Sequence, residues 1–152
     1  MIAQESQPAE ASPALAAGRL WMEALNKRDA AALEALLSDD FLYSAMVKQP
    51  PEMAIRWDKA TFLAMANPAS RPMSKPVAMT VKSEMGIGDR AVIETEGYSE
   101  HQDGYVYANV YCFLFWTKDG KLSAVHDYCC THTAVLYGEH MRALATADAA
   151  QS

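Results

Sequence analysis

Apolar and polar positions recur at helical spacing in the first part of this 152-residue chain and at strand spacing in the second. Ser12-Pro13 reads as an N-cap followed by a proline at the first helical position. Behind it, Leu15, Leu20, Trp21, Met22 and Leu25 recur roughly as one face of a helix that should run to about Asn26. Asp29 then caps a second, short helix, AAALEALL, which stops at Ser38-Asp39-Asp40. FLYSAMV (41–47) reads as a short strand and is followed by a loop carrying Pro50-Pro51. Asp58 caps a third helix, KATFLAMAN, ended by Pro68. A Pro- and Ser-bearing linker (68–76) leads to strands at about 77–85 and 91–100, joined by the turn residues Gly86-Ile87-Gly88-Asp89. His101-Gln102-Asp103-Gly104 then turns the chain into its most apolar segment.

That segment, Tyr105 to Thr133, organises the rest. It reads as two long strands joined at Lys118-Asp119-Gly120, where a Gly just past an Asp supplies the positive φ that a hairpin needs. The first strand is apolar or aromatic but for Asn109, and the second carries His126, Asp127, Cys129, Cys130 and His132. A strand pair apolar on both faces cannot stand in water. One face must pack on other elements, and the other must line a cavity or meet a partner chain. After Gly138 the Ala-rich residues suggest at most one frayed helix. Helices first and an antiparallel meander after them specify an α+β class: a curved sheet forming a half-open cone, with three N-terminal helices enclosing a pocket. The expected division is a flexible tail over 1–11, one domain over 12–137 and a C-terminal tail over 138–152.

Composition narrows the function. Half of the residues are hydrophobic and about a fifth charged, as in a soluble globular domain. A formal charge of -6 argues against nucleic acid, since phosphate binding needs a basic surface. No apolar run approaches the roughly 20 residues of a membrane span, and no secretory signal opens the chain. Three cysteines, two of them adjacent, fit reduced cytoplasmic thiols better than a disulfide framework. With no Gly-rich phosphate loop or dinucleotide fingerprint, no cofactor is expected.

The phrase MEALNKRDAAALEALLSDDF resembles the helix–turn–helix–strand opening of the nuclear transport factor 2-like superfamily. YANVYCFLFWTKDGKLSAVHDYCCT resembles its closing hairpin, in which SnoaL-like, polyketide-cyclase relatives often read Y-x-N-x-Y, then D-G-K-I, then E-Y-x-D. The resemblance spans nearly everything from Leu15 to Thr133 and implies the same cone. The superfamily includes ketosteroid isomerases, epoxide hydrolases, dehydratases, polyketide cyclases, a formaldehyde-releasing lyase of lignin-derived aromatic dimers, and binding modules without activity. Fold alone does not choose among them. Aligned to the isomerases, Trp21 stands where the oxyanion-hole tyrosine would be, Ala45 at the base aspartate and Cys112 at the second aspartate, so all three are missing. The hydrolase's Asp-Arg-Asp set is not evident either. The E-Y-x-D motif survives as Asp127-Tyr128-Cys129-Cys130, with its last acid replaced by Cys130.

Asp127 is the leading candidate for chemistry. An acid inside an apolar strand is costly to desolvate unless it is paired or used, and the resemblance turns this position towards the cavity. The alternative is a structural carboxylate bonded to an Arg or Tyr. Tyr43, on the first strand, has the parity of Ala45, the position the resemblance gives to the base aspartate, and should therefore point inward as a phenolic donor. Glu94, with Glu96, shares a face with Ala108, Val110 and Cys112 if the strands pair around Gln102, and the alignment makes that face the pocket. A one-residue slip would reverse it, and a solvated edge accounts for both acids as well. His132 and His126 are acid–base candidates, and Lys59 could place a cation at the cavity mouth. Trp21, Trp57, Phe62 and Tyr98 are expected as walls, with Cys112, Leu114 and Cys129 beside them. A metal is not expected, because residues four apart on a strand lie about 13 Å from one another. The other face of the central strand, Tyr107, Asn109, Tyr111, Phe113 and Phe115, would then be exposed in a monomer and buried in a homodimer. The sequence thus points to a cofactor-independent acid–base enzyme, of lyase, isomerase or dehydratase type. Its substrate would be small and apolar, aromatic or phenolic, with the formaldehyde-releasing cleavage of an aromatic dimer as one such reaction. The alternative is a non-catalytic ligand-binding or dimerisation module of the same fold.

Overall fold

A computed structural model describes residues 12–66 and 73–150; the expected N-terminal tail and the Pro68 stop fall outside them. The first helix, α1 (Pro13–Lys27), is capped by Ser12, whose Oγ accepts from the Leu15 amide at 3.1 Å. α2 (Ala30–Leu36) is capped by Asp29 at 2.9 Å from the Ala32 amide. α3 (Lys59–Ala66) is capped by Asp58 at 2.8 Å from the Thr61 amide. Each cap supplies an acceptor to an amide that the helix itself leaves unpaired.

Six strands form one sheet: β1 (Leu37–Ala45), β2 (Arg56–Asp58), β3 (Met73–Ile87), β4 (Arg90–His101), β5 (Val106–Lys118) and β6 (Lys121–Cys129). The spatial order is β2-β1-β6-β5-β4-β3, with β1 parallel to β6 and the remaining pairs antiparallel. β1 begins four residues before the expected Phe41, taking in the Ser-Asp-Asp segment read as a helix stop. The three residues of β2 are too few to show a period and were not expected. β3 starts inside the expected linker. Its Pro76 is tolerated because β3 is an edge strand, where a missing amide leaves no neighbour unpaired. At the β5–β6 turn both Asp119 (φ 52°) and Gly120 (φ 77°) are left-handed, matching the right-handed twist of the strands they join.

β6 ends at Cys129, and α4 (Thr131–Ala150) follows in place of a strand to Thr133 and a frayed tail. His132 is therefore helical.

The core lies between α1 and the inner face of the sheet. Trp21 meets Phe113 and Phe115 edge-on, at ring-centroid distances of 5.1 and 5.4 Å. Gly18 permits this approach: a Cβ there would stand 2.9 Å from the Ile93 side chain and 3.1 Å from Phe115.

The inner face of β5 carries Tyr107, Asn109, Tyr111, Phe113 and Phe115, the reverse of the expected assignment. Phe113 and Phe115 are almost fully buried, so this face is not a dimer surface. The pairing of β4 with β5 is as expected, Glu94 opposite Cys112 and Glu96 opposite Val110, but that whole face points outward. The cause is a bulge. Lys118 pairs with Lys121 and Thr117 with Leu122, but Trp116 pairs with Ala124, leaving Ser123 as an extra residue on β6. An unbroken register would set Cys112 against Asp127. The bulge moves Phe113 there instead, and a one-residue shift exchanges faces.

Candidate active site

The open end of the cone holds a cavity of about 360 Å³. Its walls are Trp21 from α1, Phe62 from α3, Tyr43 and Ala45 from β1, Trp57 from β2, Tyr107, Tyr111 and Phe113 from β5, Asp127 and Cys129 from β6, and Ala134 and Tyr137 from α4. The volume and the apolar, aromatic lining suit a small ring-bearing ligand. Tyr43 stacks on Trp57 and Phe62 at ring-centroid distances of 5.5 and 5.3 Å, which holds its ring in place.

Asp127 sits at the centre of this chemistry. β6 carries it opposite Phe113, and Ala45 of β1 is its neighbour on the other side. The small Ala45 side chain leaves room beside the carboxylate. Tyr43 donates its hydroxyl hydrogen to Asp127 Oδ2 at 2.5 Å, the short distance of a charge-assisted bond. Oδ1 is buried and has no hydrogen-bond partner among the described residues. Burial pushes the Asp127 carboxyl up to about 6, against the opposing pull of the Tyr43 hydrogen bond. Tyr43 is itself held well above the ordinary phenol range, by burial first and by the adjacent carboxylate second. Burial also raises the Cys129 thiol to about 11, with Asp127 adding to the shift, so this cysteine stays protonated.

A second polar group lies on the same face. Tyr107 Oη accepts from Asn109 Nδ2 at 2.9 Å and from the Tyr111 hydroxyl at 3.1 Å. With two bonds accepted, its own hydrogen is left to donate. Asn109 also donates to the Cys130 carbonyl at 3.2 Å, fixing the group to the end of β6. Burial raises both phenols, so neither ionises near neutrality.

Of the residues expected at the site, Asp127, Tyr43, Trp21, Trp57, Phe62 and Cys129 line the cavity. Glu94, Tyr98, Cys112 and Leu114 do not, because the bulge turns their face outward. Glu94 accepts from Ser83 Oγ at 2.8 Å, and Tyr98 donates to Glu100 at 2.6 Å. Lys59 does not reach the mouth; its Nζ holds the Leu37 carbonyl at 3.2 Å and Asp39 at 3.4 Å, tying α3 to β1. His132 is exposed on the first turn of α4, and His126 packs on Trp116 at 4.4 Å on the outer face. Sequence reasoning missed Tyr107, Tyr111, Phe113, Tyr137 and Arg28. The Y-x-N-x-Y spacing already placed the two tyrosines and Asn109 on one face; what was lacking was the direction of that face. Among the described residues, no three His, Cys, Asp or Glu side chains converge as metal ligands, and no helix is long and apolar enough to cross a membrane.

Three comparisons bear on this arrangement. The family model described as SnoaL-like domain matches residues 19–125. A comparison with curated proteins gives no match. Among solved structures, an LEH-like epoxide hydrolase from M. tuberculosis is 16% identical with a TM-score of 0.66, over 80% of this chain and 85% of that one. The Delta 5-3-ketosteroid isomerase from Mycobacterium sp. is likewise 16% identical at 0.66, over 81% and 97%. TerC, co-crystallised with polyporic acid, is 16% identical at 0.65, over 84% and 97%. At these identities the likeness shows the fold alone.

Proposed function

The chain belongs to the SnoaL-like family, and from that premise we propose a cofactor-independent acid–base enzyme acting on a small, aromatic or otherwise ring-bearing substrate. The observation that carries the reading is the Tyr43–Asp127 pair: a buried carboxylate with one oxygen held by a phenol at 2.5 Å and the other unpartnered, in a residue that lines an aromatic cavity. A carboxyl raised to about 6 is mostly ionised at neutral pH, yet far more basic than an ordinary aspartate. The Asp127 carboxylate would take a proton from a C–H or O–H group of the substrate, leaving the electron pair on the substrate. Return of the proton at another atom gives isomerisation; departure of a leaving group gives elimination or carbon–carbon cleavage. Tyr43 holds the carboxylate in place, and Tyr107, its hydroxyl polarised by the two bonds it accepts, would donate to the developing oxyanion.

The test is a thermal-shift screen of wild type and Asp127→Asn against phenolic aromatic dimers, steroids, epoxides and polyketide-like aromatics, with product analysis of every stabilising compound. Formaldehyde is assayed for the lignin-type dimers. The expected result is a compound that stabilises both proteins and is converted by wild type alone. Stabilisation without turnover by wild type would replace the enzyme with a ligand-binding module.

The same reading includes a homodimer formed through the outer face of the sheet. Tyr98, Val106, Val110 and Tyr128 are all exposed there, a patch of apolar side chains that a second copy would cover.

A further inference from the structure

Among the described residues that line the cavity, Arg28 is the one cation, and it is exposed, which places it on the rim. No hydrogen bond or ion pair engages its guanidinium among the described residues. Arg19, Lys27, Lys59, Lys75, Lys82 and Lys118 each stand against a carboxylate, whereas Lys48, Arg56, Arg90, Lys121 and Arg142 also lack an ion pair among the described residues but do not line the cavity. A cation without an acid partner at the edge of a ligand-sized cavity is free to meet an anionic group of the ligand.

The backbone at Arg28 adds an independent argument. It closes α1 with φ 56° and ψ 39°, a left-handed position that glycine ordinarily fills because a side chain crowds the backbone there. The turn is pinned. The Arg28 amide donates to the Leu25 carbonyl at 3.1 Å and the Asp29 amide to the Ala24 carbonyl at 2.9 Å. Two residues earlier, the Asn26 side chain pairs with both backbone groups of Met79, at 2.9 and 2.7 Å, and Met79 also lines the cavity. The guanidinium is thus presented from a turn clamped to the sheet at the edge of the cavity.

We propose that Arg28 is a binding residue for an anionic group and that the substrate is a ring-bearing carboxylic acid. The inference rests on reading the cavity as a ligand site. A carboxylate beside Asp127 would be both desolvated and repelled, so the ligand's ring enters the aromatic interior and its carboxylate stays at the rim. The planar guanidinium can take both carboxylate oxygens at once. A single cation among the described lining residues suits a monoanion rather than a phosphate ester.

The experiment compares 2-naphthoate with 2-naphthamide, which share a ring system and differ in charge, by titration calorimetry against wild type, Arg28→Gly and Arg28→Lys. Arg28→Gly removes the cation while supplying the residue this backbone favours, so the fold is kept and thermal stability should equal or exceed that of wild type. The expected result is at least tenfold tighter binding of naphthoate by wild type. That preference should be abolished in Arg28→Gly with naphthamide affinity unchanged, and partly retained in Arg28→Lys. Equal affinity of the two ligands for wild type, or a preference that survives in Arg28→Gly, overturns the anion site alone. No binding of either ligand at millimolar concentration overturns the reading of the cavity with it.

Discussion

Asp127 is kept at a cost to stability. Its carboxyl is raised from an ordinary value of 3.8 to about 6 in the folded chain, because burial disfavours the charge. An acid with a raised folded value contributes most to stability below its unfolded value, and that contribution is lost as pH rises through the interval from about 4 to about 6. At about 1.4 kcal/mol per unit, the charged carboxylate destabilises the fold by at most about 3 kcal/mol above that interval. Asp127→Asn should therefore unfold at a higher temperature than wild type at pH 7.5, with the gap closing towards pH 4, while abolishing turnover. Thermal melts across that range check it; a variant less stable than wild type at pH 7.5 would make the carboxylate a structural one. Tyr43→Phe removes the hydrogen bond that favours the ionised form, so the Asp127 titration should move to higher pH. A pH–activity profile rising on its acid limb would report the shift. Tyr107→Phe should lower kcat by about 10²-fold or more if the phenol meets an oxyanion in the transition state, with a much smaller change in KM.

At the scale of elements, the site depends on which face of β5 turns inward. Gly97 of β4 faces the cavity side beneath the Tyr111 ring; a Cβ there would lie 2.8 Å from Tyr111 Cε2 and 3.1 Å from the Met79 sulfur. Gly97→Ala should therefore destabilise the fold by about 1–3 kcal/mol and weaken ligand binding by displacing Tyr111, as denaturant unfolding and calorimetry would register. The parts of the fold readable from sequence are those encoded locally. Ser12, Asp29 and Asp58 announce their helices because a cap needs only a neighbouring amide, and the β4–β5 register follows from a short turn. The face could not be read in the same way. Nothing in the WTKDGKLSAVH segment marks the extra residue at Ser123. Asp127 and Tyr43 nevertheless came out on the cavity side: an acid in an apolar strand marks Asp127, and the resemblance turned both it and the parity shared by Tyr43 and Ala45 inward. Glu94, Cys112 and Leu114 were given the cavity face by the alignment, and although their strand pairing is as expected, that face points outward.

On the scale of the whole molecule, the cone buries Asp127 on its inner side and leaves Tyr98, Val106, Val110 and Tyr128 exposed, beside Glu94 and Glu96, on its outer sheet face. That face should hold two copies together. Size-exclusion chromatography with light scattering should give twice the mass of the 152-residue chain, and Val110→Glu, at a position 54% exposed in the single chain, should return it to one. A monomeric wild type would remove the dimer and leave the cavity unaffected. The central claim, that this fold surrounds one aspartate whose basicity is set by burial against Tyr43, needs no substrate to test. Carboxyl-carbon NMR of the protein, with the Asp127 signal assigned by its loss in Asp127→Asn, gives the titration directly. A midpoint near 6 that climbs in Tyr43→Phe is the result expected; a midpoint at or below 4 would mean that the carboxylate is solvated and that the acid–base reading is wrong.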